Sequence, residues 1–305
     1  MADRNKGNPN LRTSDREESR TGRERTPENI PKQASKTRFR EQASNVTSYV
    51  QSATYTKGVA KRPSSIKHDN GFLTLGKSAP TSDDYLKLAK WKAMLEGAEA
   101  IRPDLTDALA AYRHFLEGNG QARIFLYDRY IMNDNSGKLT LRNAILDIQQ
   151  GAVDLWHNNK KPTTFELTGS VISCGSSPQF PYPDTENWQK AIGGHLIWLS
   201  GKVTVTGGKH TPPNFKMVMT LHAEDRYNFN PFLIVYGQQD IATGIPDSDN
   251  GRFEITGLGH QYDHFSTTVR VITWRGAAPG VTSSDNPNTD RKRQPDNNRR
   301  LRNRI

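Results

Sequence analysis

From His222 to Asn230 the chain reads HAEDRYNFN, with two carboxylates, Glu224 and Asp225, one tyrosine, Tyr227, and two amides, Asn228 and Asn230. A carboxylate can hold a metal ion or take a proton from water. A tyrosine or histidine can protonate a leaving oxygen if its pKa suits. Hydrolysis is therefore within reach of Asp225, Tyr227 and Asn228. The same residue types also build an ordinary turn, with Asp and Asn bonding their own backbone and Pro231 closing it.

Groups that could complete a site follow within forty residues. GQQDIATGIPDSDNGRFE supplies Asp240, Asp247 and Asp249, and GLGHQYDHF supplies His260, Asp263 and His264. Asp240 and His260 are candidate catalytic groups. Asp225 and Asp249 are the candidate metal ligands. Arg226 and Arg252 are candidate substrate-binding cations, since a guanidinium can grip phosphate through two parallel hydrogen bonds. Each also has an ordinary role. The aspartates form turns, DSDNG could tip a hairpin or a calcium-type loop, and Arg252 could be a surface charge. His260 and His264 would share a face only on a helix, whereas the stretch reads as strand and turn. A zinc site there lacks a third ligand.

The elements that must position these groups change type near Trp156. Before it, apolar residues recur at helical spacing. The first helix lies in PTSDDYLKLAKWKAMLEGAEA, with Ser82 as N-cap and Tyr85, Leu88 and Leu95 on one face. A second carries Leu105, Leu109, Tyr112 and Leu116 and stops at Gly118-Asn119-Gly120. A third carries Leu141, Ile145, Ile148, Ala152 and Leu155, with Thr140 as cap. After Trp156 the period becomes two, in strands at 163–173, 194–207, 215–223, 251–259 and 266–274. Helices followed by a run of strands imply an α+β fold with an antiparallel sheet.

Charge separates this core from the ends. Residues 1–70 carry a net +7, residues 284–305 a net +4, and residues 71–283 a net −1. The expected organisation is a disordered basic N-terminal region at 1–70, a helical part at 71–160 and an antiparallel β part at 161–283. The two parts form one globular unit, followed by a basic C-terminal tail at 284–305. The N-terminal stretch has too few large apolar residues to offset its chain entropy. It has no apolar core of a secretory signal. The chain's single cysteine, Cys174, excludes an intramolecular disulfide and a cysteine zinc site. The basic ends could meet nucleic acid or an anionic membrane, but the near-neutral core makes nucleic acid the least favoured partner.

Several stretches, taken in order, resemble colicin M and its relatives, bacteriocins that degrade lipid II. They are YRHFLEGNGQAR (112–123), AILDIQQGAV (144–153), GGHLIWLSGKVTV (193–205) and AEDRYNFN (223–230). The last is similar to a signature whose core is Asp-x-Tyr-Asp-Phe-Asn. The resemblance spans about 105–275. It implies helices followed by a mostly antiparallel, strongly curved sheet. It also implies magnesium-dependent cleavage of the undecaprenyl-linked precursor between polyprenyl chain and pyrophosphate, on the periplasmic side of a target bacterium. Asp225 then matches the essential first aspartate and Tyr227 the tyrosine. Asn228 stands where the family has a second aspartate, and PFLIVYG occupies the place of a His-Arg pair.

Two function classes follow from this. One is an antibacterial toxin exported without a signal peptide, acting at the periplasm or inner membrane, with an immunity protein or a secretion-machine component as further partner. The other is a non-catalytic lipid- or glycan-binding module of the same fold.

Overall fold

The computed structural model describes residues 49–158, 160–208, 210–230, 247–279 and 283–285. Asp240, PFLIVYG and the tails at 1–48 and 286–305 lie outside the described residues.

The period-two stretches form a mixed, mostly antiparallel sheet. Its strands are β1 (Tyr55–Lys57), β2 (Arg123–Ile124), β3 (Thr163–Gly169), β4 (Ile172–Cys174), β5 (His195–Thr206), β6 (Asn214–Tyr227), β7 (Tyr262–Arg275) and β8 (Ser283–Asp285). The path runs β1-β3-β5-β6-β7-β2, with β4 on β5 and β8 on β7, and it does not close on itself. Only β2 runs parallel to its neighbour, β7. Strand β6 pairs with β7 over its whole length, from Asn214 opposite Arg275 to Tyr227 opposite Tyr262. HAEDRY is therefore the end of a strand, and the turn reading of Asp225 does not hold.

Alternation fixes the faces of β6. Phe215, Met217, Met219, Leu221 and Ala223 are buried, and Asp225 and Tyr227 continue that inner row. Across the inner face lies α4 (Asn135–His157), whose Ile145, Ile148, Ala152 and Trp156 join Leu199, Val203, Met219 and Leu221 in one core. Each such side chain contributes about 1.5–3 kcal/mol by leaving water. A smaller core gathers α1 (Ser82–Ile101), α2 (Thr106–Glu117) and α6 (Asp247–Thr256) around Trp91, Tyr112, Phe115, Phe253 and Tyr262. Two short helices, α3 (Tyr127–Asn133) and α5 (Glu186–Ala191), complete the set.

Local chemistry corrects several boundaries. The cap of α1 is Thr81, whose side chain accepts from the Asp84 N–H while the Asp84 carboxylate accepts from Thr81. Tyr85 points to solvent, and Trp91 supplies the buried face with Leu95. The cap of α4 is Asp134, accepting from Ser136 and Gly137, and Thr140 is buried inside the helix. The stretch 251–259 is no strand. It belongs mostly to α6, where Asn250, Phe253 and Glu254 are buried side chains at a spacing of three and four, and Asp247 and Asp249 sit in the first turn, where the helix dipole favours acid.

The ordered unit also begins earlier than residue 71. Strand β1 extends the sheet beside β3. The buried Asp147 carboxylate of α4 accepts from the Tyr49 and Tyr55 hydroxyls and from the Ser52 and Ala53 N–H groups. The Tyr55 ring lies where a side chain at Gly151 or Gly169 would have to go. Two tyrosines and one buried acceptor thus hold a segment whose polar sequence, with scattered Val and Tyr, fits either a linker or an arm docked loosely on the core.

Candidate functional site

Register brings the first site together. Asp225 of β6 stands directly opposite His264 of β7, and His264 stands opposite Arg123 of β2. Directly opposed residues on one face carry Cβ atoms about 5 Å apart. Arg123 donates through Nη1 to His264 Nε2 at 2.8 Å. A guanidinium cannot accept, so this ring nitrogen must carry the lone pair. The proton then sits on Nδ1, which is buried and has the Ala191 carbonyl near it but no well-formed hydrogen bond. Burial, with the Arg123 charge beside it, pushes the imidazole down to about 3, and the Ala191 carbonyl opposes this weakly. His264 is a neutral ring at physiological pH.

Asp225 keeps some exposed surface, but protein surrounds its carboxyl. Burial pushes that carboxyl up to about 8, nearby Asp69 adds to the rise, and the Arg226 N–H opposes it. At neutral pH the group holds its proton and is a candidate general acid.

No family model, curated protein or solved structure matches the chain.

Asp69, in the segment before α1, is the charge beside Asp225, and that segment and α6 both meet the strand exit. Asn228 donates through Nδ2 to Asp69 Oδ1 at 2.6 Å, and the Gly71 N–H donates to the same oxygen at 2.9 Å. Gly71 has φ +48, and a Cβ there would strike the Phe229 carbonyl oxygen, so this crossing needs glycine. Glu254 of α6 accepts from the Phe229 N–H at 2.9 Å through Oε1, while its buried Oε2 has no partner. Burial pushes Glu254 up to about 7, and Asp69 again contributes. Asp69 thus raises both buried acids.

Tyr227 lies between Phe115, Phe229 and Tyr262, with the Tyr262 ring stacked 5.2 Å away. Burial raises its hydroxyl well above the usual range, so it can donate a hydrogen bond but does not ionise. His260 donates its backbone N–H to Phe115 and lines a cleft of about 250 Å³ with Lys77, Glu254 and Gln261.

The remaining sequence candidates are engaged elsewhere. Arg226 points to the other face of β6, paired with Asp263 at 2.7 Å. Arg252 donates to both Asp84 carboxylate oxygens at 3.0 Å and to Ser78, so it ties α6 to the start of α1. Asp249 takes Lys87 at 3.3 Å and the Trp91 indole N–H at 3.3 Å. Asp240 lies outside the described residues. Among the described residues no group of three or more His, Cys, Asp or Glu is arranged to hold a metal. None of their helices is long and apolar enough to cross a membrane.

Three residues of the site were not singled out by sequence. Arg123 looked like a basic residue after a helix stop. Asp69 lay in a stretch read as disordered. Glu254 was hidden by the strand reading of 251–259, although its helical spacing from Asn250 was there to be counted.

Proposed function

We propose that this protein hydrolyses the lipid-linked peptidoglycan precursor lipid II, cutting between the polyprenyl chain and the pyrophosphate, as an antibacterial toxin. The observation that carries this is the Asp225 carboxyl, held protonated and set opposite the His264–Arg123 pair. In the reaction, water adds its oxygen to the polyprenyl carbon, the C–O bond breaks, and the pyrophosphate leaves with the electron pair. Asp225 gives its proton to the departing oxygen, Arg123 offsets the developing negative charge, and the water's surplus proton passes to solvent. Tyr227 donates a hydrogen bond to the bound phosphate. The reading takes the sheet as strongly curved around its inner face.

The resemblance also implies magnesium. This ion is commonly held by one or two carboxylates together with substrate phosphates. Asp225, and Asp69 close enough to raise its proton affinity, offer oxygen donors of that kind. They would hold the ion in place of the Asp225–Asp249 pair. A bound ion would supply charge neutralisation to the pyrophosphate. A carboxyl that binds the ion cannot also donate a proton, so with magnesium bound the ion would take over from Asp225 the neutralising of the leaving oxygen; Asp225 must be deprotonated to bind it, so affinity would grow with pH.

A second reading has its own support. Asn228 is fixed on Asp69 and carries no charge, which suits a non-catalytic module that binds a lipid-linked or glycan ligand. Incubating purified protein with lipid II and magnesium separates the two. Release of polyprenol, lost on adding a chelator and in Asp225→Asn, supports hydrolysis. Saturable binding without release supports the module. Export without a signal peptide, action at the periplasm or inner membrane of a target cell, and an immunity or secretion partner belong to the toxin reading.

A further inference from the structure

The outer face of the sheet is covered at one end and open at the other. At the covered end Trp198 stacks on His222 with ring centroids 3.6 Å apart, and Arg62 donates to Glu224 over them. At the open end β5, β6 and β7 form a groove of about 450 Å³, lined by Thr204, Thr206, Asn214, Lys216, Thr273 and Arg275. Beneath it Phe215 and Trp274 stack with ring centroids 4.5 Å apart and stiffen the floor.

The lining holds two cations and no acid. Register places Thr204 opposite Lys216, Lys216 opposite Thr273, and Asn214 opposite Arg275. Lys216 and Arg275 are exposed and make no ion pair among the described residues. A third exposed cation, Lys202, stands one row away opposite Val218, which is 42% exposed. Glu166 registers with Lys202 and is not among the residues that line the groove. Cations among short hydroxyl side chains, with a valine protruding beside them, complement an interface of phosphate headgroups and the first methylenes below them.

We propose that this groove docks the protein on an anionic phospholipid surface through headgroup phosphates. The sequence after β8 carries further positive charge, seven Lys/Arg against two Asp. The choice of a bilayer over another polyanion rests on the proposed lipid-linked substrate. The test involves neither that substrate nor turnover, so the two ideas can fail separately.

The test is co-sedimentation of full-length protein with vesicles containing about one-third phosphatidylglycerol, against pure phosphatidylcholine. The wild type is expected to partition onto the anionic vesicles and to come off as salt rises. Replacing both groove cations, Lys216→Gln with Arg275→Gln, should lower partitioning about thirty-fold, roughly tenfold or less for each cation. Both positions are exposed, and an unchanged circular dichroism spectrum and melting temperature verify the fold. Equal partitioning of variant and wild type overturns the groove and leaves the basic tail as the binding element. Absence of vesicle binding overturns the proposal outright. Binding of duplex DNA that is lost in the double variant, with vesicle binding unaffected, overturns it in favour of nucleic acid.

Discussion

Replacing Asp225 by Asn should make the protein more stable at neutral pH, and the gain should vanish in acid. An unfolded carboxyl titrates near 3.8, whereas in the fold Asp225 is pushed up to about 8, mainly by burial. Below pH 4 both states hold the proton and the group is neutral in its effect. As pH rises, the unfolded chain releases the proton and the folded chain must keep it, so stability is lost progressively through the folded pKa and then levels off. At pH 7 the penalty is on the order of 4 kcal/mol. Asparagine has nearly the same shape and no proton to hold, so it removes most of that penalty. For a domain of this size the melting temperature at pH 7 should rise by roughly 10 °C. The assay is a set of thermal melts of both proteins from pH 4 to 8.5. Glu254, pushed up to about 7, titrates in the same direction in both proteins. The neutral histidines His195, His222 and His264, all pushed down, act at the acid end in both. The difference between the two curves therefore isolates Asp225. A difference curve that is flat from pH 4 to 8, or a variant less stable at pH 7, would refute a buried, proton-holding carboxyl.

Two further perturbations test the surroundings of the site. Asn228→Asp restores the acid of the resembled signature, but it replaces a donor to Asp69 by a second carboxylate. One of that pair must then gain a raised pKa, so melts should show a loss of about 1–3 kcal/mol at pH 8 that is recovered toward pH 4. Asp147→Asn leaves two tyrosine hydroxyls and two backbone N–H groups competing for a single carbonyl acceptor. The arm around β1 should loosen, and limited trypsin digestion should cut faster at Lys57 and Lys61 than in the wild type, while the Arg62–Pro63 bond resists trypsin in both; unchanged rates would show that β1 pairing alone holds it.

The long elements were legible because their patterns are redundant. Strand β6 alternates over its whole buried row, and α4 repeats its apolar stripe for six turns. Helix α6 was misread because GRFEITG alternates over too few residues to separate period two from period 3.6, and its Asp-rich start passed for a turn. The arm at 49–57 was misread because its hold on the fold comes from two tyrosines reaching one buried aspartate, a contact between positions more than ninety residues apart. For the site, sequence picked out Asp225 and noted His264. It could not pair them, since pairing depends on which residue of β7 stands opposite which residue of β6. The arginines chosen for phosphate, Arg226 and Arg252, have carboxylate partners on other elements, and such partners leave no trace in local composition.

The frame shared by β6 and β7 has an evolutionary corollary. A single-residue insertion in β6 between its core row and Asp225 would turn Asp225 outward and bring Glu224 into its place, and one in β7 between His264 and its core row would turn His264 outward instead. Changes in length between the two strands carry no such penalty. Divergent descendants of this chain should therefore vary in length in the connecting stretch outside α6 while conserving parity, an even offset from the acid to the last core methionine of β6 and from the imidazole to the core tryptophan of β7.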